Sequence, residues 1–265
     1  MIDYHLHTSR CCHAIGLPQE YLAEAEKKEL AEIGFSDHFP LEMLEYKPKS
    51  QVTMQSKELA HYIEDIRQLQ RSSNNIPVKL GIEVDYLPGT ERLLSAVIEK
   101  YEFDYLIGSI HFMDDWDFTH PVYADSYKER DIDQLYEKYF ILVKDLCSSG
   151  LFDIIGHIDV IKKFGYRPSG NLNHLWQKVA RLLKDKDMCL ELNTAGRDAP
   201  VSSFYPDRKL LEICFLEGVP VTLGSDAHAP DQVGRHFHEA LEVLKSVGYN
   251  ELAVFEQRKR KFKTI

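Results

Sequence analysis

The stretch Asp3-Tyr4-His5-Leu6-His7 decides how the rest of the chain is interpreted. Side chains of a β-strand alternate between two faces, so Asp3, His5 and His7 share one side of the strand that we predict over residues 1–13. Two imidazoles at positions i and i+2 can bind one metal ion, and Asp3 can orient a ring through its second nitrogen. The alternative is an ordinary strand that happens to carry two histidines, and the remaining strands decide between the two.

Short apolar runs alternate with longer amphipathic ones through the rest of the chain. We predict further strands over 31–38, 78–86, 105–112, 153–160, 188–194 and 220–225, and helices over 17–28, 55–71, 91–101, 132–148, 171–186, 207–217 and 233–247. Seven β-then-α units without a composition break predict one α/β domain over 1–265, with parallel strands closed or nearly closed into a barrel. An open doubly wound sheet is the alternative, but no Gly-rich phosphate loop follows the first strand.

Length and charge limit the function classes. The 265 residues are close to the ~250 typical of one (β/α) barrel. A formal charge of -10 argues against general binding to nucleic acid or membrane surfaces, where basic character is expected. An anionic substrate stays possible, because bound divalent cations would dominate the local field. We expect the basic end, residues 258–261 with Lys263, to be a solvated terminal helix, and the stretches 42–50 and 113–131 to be loops.

The cysteines and the chain start indicate a cytoplasmic protein. Five cysteines, an odd number without a CxxC pair, are typical of reduced thiols in a chain too long to need disulfides. Cys11 and Cys12 lie beside the predicted site, so a ligand role stays open. The sequence starts without the basic and apolar regions of a signal peptide, and no apolar run approaches the ~20 residues of a membrane span.

Potential metal ligands recur at the predicted carboxyl ends of the strands, where parallel α/β folds bind their ligands. A single histidine there would more often be an ordinary core or surface residue. Because potential ligands occur at the end of one strand after another, a functional site is the better interpretation. The residues are His5, His7, His13, Asp37, His38, Glu83, His111, His157, Asp159, Glu191, Asn193, Asp226 and His228. They predict a polynuclear metal site.

Imidazole and carboxylate ligands without thiolate suit Zn, Mn or Fe. A carboxylate such as Glu83 can bridge two cations, which polarise a phosphoryl oxygen and lower the pKa of a bridging water to give a hydroxide nucleophile. No separate Ser or Cys nucleophile is then needed, and the sequence has no G-x-S-x-G elbow. The site chemistry therefore favours metal-assisted hydrolysis.

Six motifs together resemble the full motif set of the polymerase and histidinol phosphatase (PHP) superfamily. They are Asp-x-His-x-His at 3–7, Ser-Asp-His at 36–38, Gly-x-Glu at 81–83, Gly-Ser-Ile-His at 108–111, Gly-His-x-Asp at 156–159 and Gly-Ser-Asp-Ala-His at 224–228. Segments 108–118, 191–197 and 225–234 further resemble the monofunctional histidinol-phosphatase branch. The sequence departs from the family pattern at Asp114-Asp115 and at Ala195, outside the ligand positions.

The resemblance implies a distorted seven-stranded (β/α) barrel with three divalent metal ions. Carried over by position, His5, His7, Glu83 and Asp226 would hold the first ion. Glu83, His111 and His157 would hold the second. His13, His38 and His228 would hold the third.

The resemblance also implies the reaction, hydrolysis of the small-molecule monoester L-histidinol phosphate to L-histidinol and phosphate in histidine biosynthesis, by a metal-bridging hydroxide. We predict Arg197, Asp226 and His228 as catalytic residues. The guanidinium of Arg197 would bind the phosphate, and His228 or a metal-bound water would protonate the leaving oxygen. We expect Asp3 and Asp159 to fix histidine tautomers. The candidates for contact with the amino and imidazole ends of the substrate are Asp114, Asp115, Trp116 and Glu42.

Two other functions fit parts of the pattern. A phosphodiesterase or exonuclease on the same scaffold would need a basic groove, which the charge of -10 disfavours. A non-catalytic module that uses its metals for structure or polymerase docking would not need the complete ligand set.

Overall fold

A computed structural model of the protein describes residues 1–49 and 52–265. Within these residues the main sheet has seven parallel strands in chain order, and two short hairpins add four further strands. The strands are β1 (Ile2–Leu6), β2 (Glu32–Phe35), β3 (Val78–Asp85), β4 (Tyr105–Ser109), β5 (Phe112–Met113), β6 (Trp116–Asp117), β7 (Ile154–Ile155), β8 (Cys189–Asn193), β9 (Val221–Gly224), β10 (Glu251–Glu256) and β11 (Lys259–Thr264). Strands β5 and β6 form one hairpin, and β10 and β11 form the other.

The first and last strands of the main sheet meet, so the sheet is nearly closed into a barrel. The backbone N–H of His7 donates to the oxygen of Ala227 at 2.9 Å, and the N–H of Ala227 donates to the oxygen of His5 at 3.1 Å. This topology confirms the predicted barrel of seven parallel strands. It brings the carboxyl ends of all seven to one mouth, where such barrels carry their sites.

Helices follow the strands where the apolar periodicity predicts them. In the described residues they are α1 (Pro18–Lys27), α2 (Leu59–Ser72), α3 (Glu91–Ile98), α4 (Ile132–Ser149), α5 (Asn173–Asp185), α6 (Arg208–Glu217) and α7 (Phe237–Val247). Helix α2 illustrates the cause, because its apolar positions recur at helical spacing and all are buried. These positions are Leu59, Tyr62, Ile63, Ile66 and Leu69.

The ring of Tyr105 fills the barrel interior at the amino-terminal half of the strands. It stacks on Tyr4 at a centroid distance of 4.7 Å, and its hydroxyl donates to the backbone oxygen of Tyr4 at 2.7 Å. Glycine at positions 34 and 81 makes the room, because a Cβ on Gly81 would lie 2.2 Å from the ring and one on Gly34 2.3 Å from its hydroxyl. Aromatic packing therefore closes the end of the barrel opposite the mouth.

The basic C-terminal end forms the β10–β11 hairpin, so the predicted terminal helix is wrong. The hairpin turns at Gln257 and Arg258, which both have positive φ. Strand β10 buries Leu252–Phe255, and the side chains of the basic residues reach acidic partners. The Nε of Arg258 lies 2.5 Å from Asp153, and the Nζ of Lys263 lies 2.5 Å from Glu32. Apolar burial and these ion pairs together stabilise strands where charge density alone suggested a solvated helix.

Some predicted boundaries also differ. Strand β1 ends at Leu6 rather than at residue 13, because Thr8 begins a 3₁₀ turn over Ser9–Cys11. The predicted loop over 113–131 contains the end of the β5–β6 hairpin and a 3₁₀ segment, Pro121–Glu129. The predicted loop over 42–50 begins within a 3₁₀ turn, Leu41–Leu44, and ends at Ser50, which lies outside the described residues. Within the described ranges, no helix combines the length and apolar character that a bilayer span requires.

Candidate metal centre

The nine side chains predicted as metal ligands come together at the mouth of the barrel. Each is delivered by the carboxyl end of a strand or by the loop that follows it. His5 and Glu83 lie within strands, and the others follow a strand end. The set is His5, His7, His13, His38, Glu83, His111, His157, Asp226 and His228.

Glu83 lies at the centre of this cluster and is only 1% exposed. Its Oε2 is 3.3 Å from Nε2 of His5 and 3.5 Å from Nε2 of His7. The same oxygen is 2.9 Å from Nδ1 of His38, and Oε1 is 3.0 Å from Nε2 of His157. The two carboxylate oxygens thus face different histidines, which is the arrangement that a bridging ligand requires.

The donor atoms around Glu83 fit metal ions. Nε2 of His5, Nε2 of His7, Nδ1 of His38 and Oε2 of Glu83 are buried and have no hydrogen-bond partner in the described part of the chain. Unsatisfied buried polar atoms are costly, so their convergence needs a common partner. Two ligands on a tetrahedral ion at 2.0–2.1 Å lie about 3.3 Å apart. The observed spacings of 3.3 and 3.5 Å match that value.

Asp226 extends the cluster toward the last strand. Its Oδ1 lies 3.4 Å from Nε2 of His7 and 3.9 Å from Nε2 of His5. The residue has a φ of 51°, in the left-handed region that non-glycine residues seldom adopt. Arg235 and Asn193 stabilise this conformation, since Nη2 of Arg235 donates to the backbone oxygen at 2.9 Å and the amide of Asn193 to Oδ2 at 3.3 Å.

The other predicted ligands also lie in groups. Nε2 of His111 is 3.2 Å from Nε2 of His157, and Nε2 of His13 is 2.9 Å from Nε2 of His228. The ring of His38 lies 5.3 Å from that of His13, between centroids. The structure therefore brings together the members of each predicted group, while the division of the donors among three ions stays a prediction.

Burial and neighbouring charges shift the pKa values of the candidate ligands. Burial and the neighbouring His38 and His228 lower the pKa of His13 to about 3. Burial also lowers the pKa of His228 to about 4, against the opposing carboxylate of Asp226. Burial acts to raise the pKa of Glu83, but His38 and His5 hold it well below its usual value. At neutral pH His13 and His228 are therefore neutral and the carboxylate of Glu83 is ionised, the forms in which these groups bind metal. Burial acts to lower the pKa of His5, but the carboxylates of Glu191 and Glu83 raise it well above its usual value, so this ring has to release a proton when it binds an ion.

Two carboxylates orient rings of the cluster through their Nδ1 atoms. Oε1 of Glu191 lies 2.5 Å from Nδ1 of His5, and Oδ1 of Asp85 lies 2.7 Å from Nδ1 of His111. Burial acts to lower the pKa of His111, but Asp85 raises it to about 9. The sequence places Glu191 at a strand end and Asp85 two residues after Glu83 on the same strand face, but we assigned this role to neither.

Asp3 and Asp159, which we predicted to orient histidine rings, bind other groups, so that prediction is wrong. Asp3 accepts backbone N–H groups of Ser225 and Gly234, both at 2.9 Å, and so ties β1 to the segment after β9. Asp159 is a partner of the buried Lys162, whose Nζ lies at 2.7 Å. Their carboxylates thus fix the backbone and a buried cation rather than an imidazole.

Cys11 is buried behind the ring of His7. Its Sγ lies 3.5 Å from Nδ1 of His7 and accepts the backbone N–H of His38 at 3.0 Å. Burial, with the nearby carboxylate of Asp37, raises the pKa of the thiol well above its usual value. The sulfur therefore faces Nδ1 of His7, while Nε2 of that ring faces the cluster, and with His7 and Asp37 it forms a further group of possible ligand atoms. Cys12 is exposed.

A cavity of about 340 Å³ opens beside the cluster. Besides His13, His38, His111, His157, Asp226 and His228, its lining includes Asp117, Thr119, His120, Lys163 and Tyr205. Lys163 directly follows the 3₁₀ turn Val160–Lys162 after β7, and no feature of the sequence marked it. Burial lowers its pKa, and the nearby Asp226 and Asp117 oppose that effect.

The residues predicted to contact the substrate lie outside the cavity lining. Arg197 binds Glu239, with Nη2 to Oε1 at 2.9 Å, and donates to the backbone oxygen of Ser202 at 3.0 Å. Three of the other four predicted candidates also have protein partners. Asp114 pairs with Lys138, Trp116 packs against Arg130, Glu42 accepts the N–H of Ser56, and Asp115 is exposed.

Comparisons with known proteins agree with this fold. The sequence profile of the PHP domain matches residues 3–195. A probable histidinol-phosphatase of Deinococcus radiodurans is 36% identical over 98% of both chains, and a histidinol-phosphatase of Lactococcus lactis is 26% identical over 97% of this chain and 95% of its own. The crystal structure of the histidinol phosphate phosphatase from Lactococcus lactis, complexed with zinc, L-histidinol and phosphate, superposes with a TM-score of 0.85 over 98% of both chains at 24% identity. That likeness shows a shared fold.

Proposed function

This chain belongs to the PHP domain family, and on that basis we propose that it is a metal-dependent phosphatase that hydrolyses L-histidinol phosphate to L-histidinol and phosphate. The observation that carries the proposal is the convergence of nine candidate ligand side chains, with the buried Glu83 at their centre, in a chain whose relatives are named histidinol-phosphatase. The adjoining cavity has space for a small monoester rather than a polymer.

The proposed centre holds three divalent ions, of zinc, manganese or iron. His5, His7, Glu83 and Asp226 would bind the first, Glu83, His111 and His157 the second, and His13, His38 and His228 the third. Such ions supply Lewis acidity and lower the pKa of a bound water. Glu191 and Asp85 hold the rings of His5 and His111 so that their Nε2 atoms face the centre.

Two basic side chains are proposed for the phosphate. Lys163 already lines the cavity, and it forms no ion pair within 4.0 Å among the described residues. Arg197 would reach the phosphate only after its guanidinium leaves Glu239. Asp226 and His228 border both the cluster and the cavity, and we keep them as proposed catalytic residues. Because the lowered pKa of His228 keeps its ring neutral at neutral pH, its proposed role is to bind the third ion, and the bound ions would supply an acidic water for the leaving oxygen.

A phosphate-release assay tests the proposal. The protein is freed of metal, reloaded separately with zinc, manganese or iron, and given L-histidinol phosphate or a bis-aryl phosphodiester. We expect phosphate release from the monoester that depends on added metal and is lost in Glu83→Gln. Faster turnover of the diester would favour the phosphodiesterase alternative, and unchanged activity in Glu83→Gln would overturn the proposed site.

Some sequence predictions remain proposals. They are a single domain over 1–265, a cytoplasmic location, and a small-molecule partner rather than nucleic acid or a membrane. Fractionation of the native cells and gel-shift measurements with DNA would test the last two.

A further inference from the structure

Arg235 lies behind the candidate ligand Asp226 and outside the cavity lining. It comes two residues before helix α7, and its side chain is 18% exposed. It is not one of the nine candidate ligands, and the proposed hydrolysis makes no direct use of it. A guanidinium presents five N–H donors in a rigid planar fork, so the groups that it binds show what it holds in place.

The guanidinium binds the backbone of two consecutive residues. Nε donates to the carbonyl oxygen of Ser225 at 2.9 Å, and Nη2 donates to that of Asp226 at 2.9 Å. Nη1 donates to Oδ2 of Asp198 at 3.2 Å, directly after the 3₁₀ turn Ala195–Arg197 that follows β8. Because three of its nitrogen atoms are engaged, the guanidinium has a fixed orientation relative to the end of β9.

The buried carboxylate of Asp3 holds the same segment from the other side. It accepts the N–H groups of Ser225 and Gly234, whereas Arg235 binds carbonyl oxygens. The N–H of Ala227 in turn donates to the oxygen of His5 at 3.1 Å. Three consecutive peptide groups over residues 224–227 therefore have fixed hydrogen-bond partners.

This fixed backbone carries Asp226 in its left-handed conformation, with a φ of 51°. The conformation turns Oδ1 toward Nε2 of His7, at 3.4 Å. The carbonyl oxygen of Asp226, which accepts Nη2 of Arg235, also lies 3.1 Å from Nδ1 of His228. An Nδ1–H at that position leaves Nε2 of His228 free to bind an ion. Two candidate ligands thus depend on the position of one peptide group.

We propose that Arg235 is a positioning residue of the metal centre, which holds the Ser225–Asp226 backbone in place and so aims Asp226 at the first ion. The inference rests on the proposed function, because it concerns the ions that the hydrolysis needs. Arg235 acts through the backbone of Asp226 rather than on a metal or a substrate. Without the guanidinium, Asp226 relaxes toward an ordinary backbone conformation, and its carboxylate turns away from His5 and His7.

The test compares Arg235→Met, which removes the donors, with Arg235→Lys, which keeps the charge and three N–H donors. The matched control is Arg208→Met, because Arg208 forms an exposed pair with Glu212 on helix α6. Each protein is freed of metal and then loaded with cobalt(II), whose visible absorption reports the number and geometry of its ligands. Competition with a chelator gives the metal affinity.

We expect Arg235→Met to weaken metal binding roughly 10- to 100-fold, as for the loss of a group that orients a ligand, and to change the cobalt spectrum. Arg235→Lys should recover part of the affinity, since an ammonium can donate to the same carbonyl oxygens. Arg208→Met should match the wild type in affinity and spectrum. A wild-type spectrum in Arg235→Met, with or without a loss of affinity, would overturn the proposal, because Asp226 would then coordinate as before.

A crystal structure of the wild-type protein loaded with zinc tests the proposal without a variant. We expect Oδ1 of Asp226 on an ion while Arg235 still binds the carbonyl oxygens of Ser225 and Asp226. An Asp226 away from the ions, or an Arg235 turned away from these oxygens, would overturn the proposal even if Arg235→Met does not fold.

These measurements use no phosphate ester, so they are separate from the test of the proposed function. If the wild type binds metal through Asp226 but releases no phosphate from L-histidinol phosphate, the proposed function fails. The role of Arg235 in the metal centre is then still supported.

Discussion

Oε1 of Glu191 lies 2.5 Å from Nδ1 of His5, and both side chains are fully enclosed by the barrel. The second oxygen of Glu191 accepts the backbone N–H of His157 at 2.7 Å. One carboxylate on β8 therefore fixes the ring from β1 and the backbone at the end of β7. It links three strand ends of the candidate metal centre.

Replacing Glu191 should weaken metal binding without removing a ligand. In Glu191→Gln the amide cannot carry the charge that favours an Nδ1–H on His5, so we expect metal affinity to fall about 10- to 100-fold. Competition with a chelator, followed by metal analysis, measures this. The control is Glu217→Gln, because Glu217 forms only a surface pair with Arg181. Equal metal affinity in Glu191→Gln and the wild type would contradict the orienting role.

Gly224 should be required for the same contact. A Cβ on this residue would lie 2.0 Å from Oε1 of Glu191 and 2.7 Å from Cβ of His5. We expect Gly224→Ala to displace both side chains, lower the free energy of unfolding by about 1–3 kcal/mol as for overpacked cores, and weaken metal binding. Denaturant unfolding of the metal-free protein checks the first effect. Gly170→Ala is the matched control, since its nearest side-chain atom would be 3.9 Å away.

Lys163 and Arg197 should be separable as phosphate ligands. Because Lys163 lines the cavity, we expect Lys163→Gln to lower kcat/KM for the monoester roughly 10- to 100-fold. Inhibition by inorganic phosphate should weaken in parallel. Arg197→Gln tests the sequence prediction in the same assay, with Glu239→Gln as the variant that frees the guanidinium. Wild-type values in Arg197→Gln would refute the role of Arg197 while leaving Lys163 in place.

Cys11 should support metal binding through its contact with His7. We expect Cys11→Ser to retain most of the metal affinity, since a hydroxyl can also face Nδ1, and Cys11→Val to lose about 10-fold or more. Chelator competition again provides the measurement. Cys147→Val is the control, because Cys147 is buried in α4 away from the cluster. If Cys11→Ser and Cys11→Val lose affinity equally, Cys11 supports the position of the His7 ring through packing rather than through a hydrogen bond.

Acid should destabilise the metal-free protein through His13 and His228. In the folded state burial lowers their pKa values from 6.5 to about 3 and about 4. As the pH falls below about 6.5 the unfolded chain takes up protons at both rings while the folded protein does not, so the free energy of unfolding decreases down to about pH 4. Above that window both states carry neutral rings and the contribution vanishes.

Urea unfolding at several pH values checks this dependence, with the double variant His13→Asn, His228→Asn as its comparison. The variant lacks both groups and should show a shallower loss of stability on acidification. Identical slopes would mean that other groups control the acid transition.

The sequence by itself determined the barrel and the side chains of the candidate metal centre. Apolar periodicity fixes where helices and strands lie, and in a parallel barrel all strands end at one mouth, so His5, Glu83, His157 and Asp226 had to converge there. That inference needs only the order of the elements and no detail of their packing. The terminal hairpin was not predicted, because short strands stabilised by ion pairs show little apolar periodicity in the sequence.

Only the tertiary structure decided the partners of these side chains. Whether Glu191 or Asp3 reaches the ring of His5, and whether Lys163 or Arg197 borders the cavity, depends on strand stagger and on loop conformation. The spacing of residues along the sequence determines on which face of a strand a side chain lies. A hydrogen bond forms only when the distance between donor and acceptor is right to within a few tenths of an ångström. Across the barrel, that distance depends on how all seven strands pack together.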